Sequence, residues 1–348
     1  MVFVMPTIFS PIRVKNIVFA NRIVMTPMVR FGFACHDGVM GKELLQEYLD
    51  RAHTRIGLVI SQCLTVSAHD DLHASGNGTS GGAGAYAEAH VGYLRQIAHV
   101  CHDGGSRLFA QLGIGGYGYG SVPSKDINVL STDEVAGLRD AFIRGAAICR
   151  KAGLDGVELH GAHTYFLNML ASPHANHRQD RYGGDARGRM TFAAEVIAGI
   201  REFAGNDFII SYRMGWSDTL DDDVQNAQLL EQAGVDMLHV SSGIPAQREA
   251  AVPQDFPYND IVYAGCHVKR FVGVPVIVVN DIRTLQRGNV LIQGKQCDFT
   301  AYGRPFLADG AFVIHSQENM DYAPCLQCHP CRWFTDGRQC PARLRAKK

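Results

Sequence analysis

Eight short apolar runs constrain this chain more than any other feature. They are RIVMT (22–26), GLVIS (57–61), RLFAQL (107–112), GVELH (156–160), FIISYRM (208–214), MLHVSS (237–242), VPVIVVN (274–280) and FTAYG (299–303). Each is rich in Val and Ile and bounded by Gly, Asp or polar residues, as suits strands buried on both faces. Helical patterns lie between them. AEAHVGYLRQIAHVCHDGG puts Val91, Leu94, Ala98 and Cys101 on one stripe and stops at Gly104–Gly105. STDEVAGLRDAFIRGAAICRKAG opens on Ser131 or Thr132 as N-cap with Glu134 in the first turn. It closes at Gly153, where a left-handed residue is expected. RMTFAAEVIAGIREFAG, DDDVQNAQLLEQAG, YNDIVYAGCHVKRFVG and shorter segments near 283–293 and 308–317 repeat the scheme. Eight strands alternating with helices is the count of an α/β chain closed into a (β/α)8 TIM barrel. An open doubly wound sheet would need a glycine-rich phosphate loop leading from an early strand into a helix. GIGGYGYG (113–120) follows a strand but is followed by a proline and a polar stretch, so it reads as a long loop.

Of 348 residues, 46% are hydrophobic and 19% charged, enough for one large barrel. The barrel is expected over 1–320, with a cysteine-rich tail over 321–348. Basic and acidic side chains number 33 and 34, for a net charge of −1. Neither nucleic acid nor a membrane is therefore an expected partner. The N-terminal MVFVMPTIFSP is apolar for five residues before Pro6 and lacks a basic stretch, so no signal peptide is expected. The cytoplasm follows as the expected compartment. The ten cysteines there read as reduced or metal-bound rather than paired.

In such a barrel, chemistry sits at the C-terminal ends of the strands. Those ends are Thr26–Pro27–Met28, Gln62–Cys63, Gln111, His160, Arg213, Ser241–Ser242, Asn280–Asp281 and Gly303–Arg304. They are polar, basic or glycine-bearing where the strands are apolar. Past the fourth strand, His160, His163 and Tyr165 stand close together. Two imidazoles can donate to an oxygen that gains negative charge, and a tyrosine beside them can deliver a proton. The His-x-x-His pair could instead ligate zinc, but no acidic third ligand stands at an obvious position.

The set NRIVMTPM (21–28), FAQL with Gln111, HGAHTYFLNMLASPHANHRQDRYGG (160–184), RMGWSD (213–218), VSSG (240–243) and YGRPFLAD (302–309) resembles the old yellow enzyme family of FMN-dependent ene-reductases. The resemblance implies a TIM barrel with FMN at the strand ends and NAD(P)H as reductant. Thr26, Pro27 and Met28 would line the flavin ring, with Cys63 near its O4 and N5 edge. Gln111 would bond the pyrimidine edge and Arg213 would face N1 and the C2 carbonyl. Asn280 and Asp281 close the same rim, and Gly303 and Arg304 would bind the phosphate. His160 and His163 would hold the oxygen of a small-molecule substrate, an activated alkene, and Tyr165 matches the proton donor. Val29 departs from the family pattern, which places there a threonine or cysteine that bonds flavin O4. Arg30 reads as a surface residue, and Phe31 keeps a ring where some relatives have tyrosine.

The chain ends in CLQCHPCRWFTDGRQC (325–340), with Cys325, Cys328, Cys331 and Cys340 spaced C-x2-C-x2-C-x8-C and followed by Pro341. Part of the family, including trimethylamine dehydrogenase and the dienoyl-CoA reductases, carries a four-iron cluster on a similar run. A [4Fe-4S] cluster, a zinc site and no metal all stay open here. A cluster would call for an electron-donor protein as partner, and a homo-oligomer is also open. Two further readings stand beside the ene-reductase. One is an amine dehydrogenase of the same fold, and the other is a non-catalytic barrel whose cysteine knuckle binds a partner.

Overall fold

The computed structural model describes residues 5–51, 53–68, 82–115, 117, 125–244 and 252–346. Much of the 113–120 glycine cluster and parts of the loops 113–130 and 244–260 lie outside the described residues.

Eight parallel strands close into a barrel. They are β1 (Ile23–Met25), β2 (Leu58–Thr65), β3 (Arg107–Gly113), β4 (Gly156–Gly161), β5 (Ile209–Gly215), β6 (Met237–Ser241), β7 (Val276–Val279) and β8 (Phe299–Tyr302). β8 pairs back onto β1 through Ala301↔Val24, which completes the circle. Helices α1 (Lys42–Leu49), α2 (Val91–Asp103), α3 (Thr132–Lys151), α4 (Ala186–Ala204), α5 (Leu220–Gln232), α6 (Asp260–Lys269) and α7 (Leu285–Gln293) follow successive strands. The termini of α3 show why the chain folds this way locally. Ser131 Oγ accepts from Glu134 N–H, and the Glu134 carboxylate returns to Ser131 N–H. Such a cap is typically worth ~1 kcal/mol. Beyond the helix, Gly153 turns the chain at φ +90°, a conformation glycine adopts without strain.

Side chains alternate in and out along each strand. Outward residues such as Leu108, Ala110, Val157, Leu159, Ile210 and Leu238 pack under the helices. Inward residues change character with height. The lower interior holds Val24, Leu58, Ile60, Phe109, Ile209, Met237, Ile277 and Phe299. One step higher along β3 to β6 stand Gln111, Glu158, Ser211 and His239, all buried. Above them come His160, Arg213 and Ser241. The strands are thus not apolar on both faces to their ends, and polar side chains enter the barrel at mid-height.

An N-terminal hairpin, Ile12–Val14 paired with Ile17–Phe19, plugs the lower end. Its Phe19 lies edge-on to Phe109 and Phe299, with ring centroids 6.0 and 5.3 Å apart. On β2 the register shifts between Ile60 and Cys63. This bulge carries Cys63 to pair with Gln111 and lengthens the strand beyond the sequence expectation. Among the described residues no helix is long and apolar enough to cross a membrane.

Candidate active site

The C-terminal ends of the strands surround a cavity of about 520 Å³. Of the strand-end residues, all but Gln62, Ser241 and Ser242 line it. β1 contributes Thr26, Pro27 and Met28, β2 Cys63 and β3 Gln111. The β4 loop brings His160, His163 and Tyr165, and β5 brings Arg213. Asn280 and Asp281 come after β7, with Gly303 and Arg304 after β8.

The β4 loop forms one wall. The His160 and His163 rings lie 5.2 Å apart at 77°, and His160 lies 4.1 Å from the Tyr165 ring. Backbone conformation makes this cluster possible. His163 and Thr164 both have positive φ, +56° and +65°. Two successive left-handed non-glycine residues are strained and persist only where the surroundings hold them. Here His163 N–H donates to the Ser242 carbonyl and Thr164 N–H to Asn168 Oδ1. Asn280 and Asp281 repeat the device on the facing loop, at φ +89° and +48°. Gly113 completes the wall. A Cβ there would stand 2.6 Å from Cys63 Sγ and 3.3 Å from the Tyr165 ring, so a side chain would displace the Cys63 thiol.

Electrostatically, the site has a cation in its floor. Arg213 is 6% exposed and donates through Nη2 to Ser241 Oγ at 3.1 Å. Burial lowers its pKa, and nearby Glu158 opposes that shift; an arginine stays protonated under these conditions. The same Ser241 Oγ is 2.8 Å from His163 Nε2. Burial foremost, then the Arg213 charge, holds His163 well below the ordinary histidine range, so it is neutral at pH 7. Among the described residues, Thr26 Oγ1 and Arg213 Nε find no hydrogen-bond partner and are buried.

A model of the NADH:flavin oxidoreductase / NADH oxidase family matches residues 7–322. The chain belongs to this family. It is 30% identical to a "NADH oxidase" of Thermoanaerobacter brockii, over 93% of this chain and 53% of that protein. The chain therefore spans about half the length of that relative. It is 28% identical to an "NADPH dehydrogenase" of Bacillus pumilus, over 90% of this chain and 95% of the relative. A solved structure of morphinone reductase in complex with tetrahydroNAD shares the fold, with a TM-score of 0.74 at 20% identity over 92% of this chain and 93% of that one. The family is the one that the old yellow enzyme motifs implied.

In this flavin oxidoreductase family member, the C-terminal segment supplies a wall of the same cavity. Ala323, Cys325, Gln327, Trp333 and Phe334 all line it. Trp333 is the anchor, 3% exposed, with Nε1 donating to the Val29 carbonyl at 2.8 Å. Gly337 N–H donates to the Phe31 carbonyl, and Phe334 faces the Phe31 ring at 5.8 Å. Arg343 pairs with the buried Glu47 at 2.6 Å.

Arg30 corrects the surface reading. It is fully buried, lies 5.7 Å from the Trp333 ring and 5.3 Å from Tyr48, and donates to the Met28 carbonyl at 2.6 Å. Its charge is answered in part by Glu47, 3.9 Å away, so the β1 loop is braced from beneath by an arginine.

Cys325, Cys328, Cys331 and Cys340 line one small cavity of about 20 Å³ beside Arg304 and Trp333. Burial raises the Cys331 thiol, and its three neighbours add to that shift. Among the described residues, however, no three Cys, His, Asp or Glu side chains are grouped as a metal site. The expected cluster or zinc ligation by these four cysteines is thus not supported. The contacts that shape the segment are the Trp333, Gly337 and Arg343 anchors to the barrel. Cys101, Cys149, Cys266 and Cys297 are buried and outside any disulfide, packed as small core residues.

NHRQDRYGG (176–184) carries part of the family resemblance but latches loops together outside the cavity. Arg178 donates to the Ile127 and Leu130 carbonyls and pairs with Asp180, while Asn176 holds the Leu170 and Tyr182 carbonyls. Glu158 and His239 were passed over. A glutamate in mid-strand two residues before His160, and so on the same face, was the available signal.

Proposed function

We propose that this barrel binds FMN in the 520 Å³ cavity and reduces an activated C=C bond with hydride from NAD(P)H, the proton coming from Tyr165. The observation that carries this reading is the His160–His163–Tyr165 cluster on one wall, beside the buried Arg213 cation. The cavity fits the cofactor by its unmet polar atoms. Thr26 Oγ1 and Arg213 Nε lack partners among the described residues, and an unsatisfied buried polar group costs ~1–3 kcal/mol. A flavin's polar edge would satisfy both. Gly303 allows backbone approach, since a Cβ there would already press on Met28 and Thr26 at 3.2 Å. With Arg304 it would hold the phosphate.

Bound FMN would supply the hydride-transfer chemistry between nicotinamide and alkene. The chain's own groups do the rest. His160 and His163 hold the carbonyl or nitro oxygen of the substrate. Because His163 is neutral, it serves as a dipolar donor and does not protonate that oxygen outright. Donors aimed at an oxygen that gains charge are typically worth ~3–4 kcal/mol each. Tyr165 delivers its phenolic proton to the α-carbon. Arg213 supplies fixed positive charge where negative charge accumulates on reduction. Phe31, Trp333 and Phe334 give the mouth an apolar, aromatic wall that suits a conjugated substrate.

The test is spectroscopic. The purified protein should bind FMN at one per chain, bleach with NADH or NADPH, and regain colour with 2-cyclohexenone. A protein that binds no FMN, or whose bleached flavin ignores every activated alkene, would overturn the reading.

A further inference from the structure

A buried polar layer, unused by the mechanism above, lies directly below the cavity. Glu158 is fully buried. Its Oε1 accepts from Gln111 Nε2 at 2.9 Å. Its Oε2 stands 2.8 Å from His239 Nδ1 and 3.4 Å from Ser211 Oγ. These contacts follow from register, because Gln111 pairs with Glu158 and Glu158 with Ser211 across adjacent strands.

The chemistry of the acceptor decides the orientation of the amide. A carboxylate can only accept, so Gln111 must turn its NH2 group to Glu158. Gln111 Oε1 is then the amide atom left for the cavity, and it can meet only a donor. An unheld glutamine could present either end. Arg213, which also enters the cavity floor, interacts electrostatically with Glu158. Glu158 therefore touches neither reacting group and yet bears on both floor residues.

We propose that Glu158 is a positioning residue that fixes the Gln111 carbonyl toward the cofactor and offsets part of the Arg213 charge at the cavity floor. The inference rests on the reading of Gln111 and Arg213 as flavin contacts. His239 and Ser211 hold the carboxylate in place from the other side.

FMN affinity, measured by fluorescence titration of the apoprotein in both redox states, tests it without any turnover. Glu158→Gln removes the charge and frees the Gln111 amide. Oxidised FMN should bind about tenfold or more weakly. The ratio of oxidised to reduced dissociation constants should rise, each tenfold change raising the two-electron potential by about 30 mV. Glu158→Asp keeps the charge but withdraws it from Gln111, so affinity should fall while the potential stays put. In a Gln111→Leu background, Glu158→Gln should no longer weaken oxidised FMN, because the two act as one unit. Unchanged affinity in both Glu158 variants overturns the proposal, as does an undiminished loss in the Gln111→Leu background, which marks a merely structural role. If Gln111→Leu alone leaves FMN binding intact, it is the site reading that fails instead.

Discussion

Replacing Trp333 by alanine should release the C-terminal wall while leaving the barrel folded. Trp333 is 3% exposed, donates to the Val29 carbonyl, and lies between the Arg30 and Arg343 guanidinium groups at 5.7 and 5.8 Å. Truncating a buried tryptophan typically costs ~3–5 kcal/mol. That loss falls on a segment whose other ties to the barrel are Arg343 on Glu47, Gly337 on Phe31 and the exposed Arg338 on Gly32 and Glu43. Local opening should therefore precede global unfolding. At about 1.4 kcal/mol per decade, amide exchange in the segment should quicken by about 10²- to 4 × 10³-fold. The Gly337 N–H, donated to the Phe31 carbonyl, is the reporter in a hydrogen-exchange experiment. The Asp236 N–H, donated to the Ile210 carbonyl inside the barrel, is the control and should not change. Exchange at Gly337 equal to that of the parent would refute the anchoring role of Trp333. Equal acceleration at Gly337 and Asp236 would refute the separation of wall from barrel.

Phe334→Ala should raise KM for aryl-substituted alkenes about tenfold while leaving 2-cyclohexenone within about twofold, read from steady-state kinetics; Phe334 stacks by Phe31 at the mouth, and an aromatic contact is worth ~0.5–1.5 kcal/mol. Gly113→Ala should fold yet lose most activity, because the new methyl group meets Cys63 and Tyr165; an FMN titration separates lost binding from lost chemistry. Asp180, paired with Arg178, has its pKa depressed to about 2, against ~3.9 for an unfolded aspartate. The pair therefore adds stability above about pH 4 that is lost as pH falls toward 2. Its partial exposure limits the gain to about 1–2 kcal/mol. In denaturant melts, the difference between Asp180→Asn and the parent should be full at pH 6 and clearly smaller at pH 2.5, near the folded pKa.

The strands were legible in the sequence because Val- and Ile-rich runs between polar boundaries leave few other options, and each observed strand lies within a few residues of its run. The cavity was legible for a related reason. In a barrel, one end of every strand faces one place, so Thr26, Gln111, His160 and Arg213 converge once the fold is known. What was not legible depends on contacts across nearly the whole chain. Trp333 meets Val29 at a separation of 304 residues, and no local pattern announces that pairing. The cysteine spacing drew attention to metal chemistry, while the neighbouring Trp333 carried the docking. Arg30 was misplaced because a lone arginine is usually exposed, and only the tail and Glu47 make its burial tolerable. Glu158 hid within an apparently apolar strand, since its role depends on partners from three other strands.

The most direct test of the proposed chemistry is an anaerobic half-reaction comparison of the parent with Tyr165→Phe. Flavin bleaching by NADPH should proceed at the parent rate, because the phenol takes no part in that step. Recolouring by 2-cyclohexenone should slow by about 10²- to 10⁴-fold, the usual contribution of a positioned proton donor. Recolouring at the parent rate would contradict the assignment of Tyr165, and with it the reading of this wall as the site of alkene reduction.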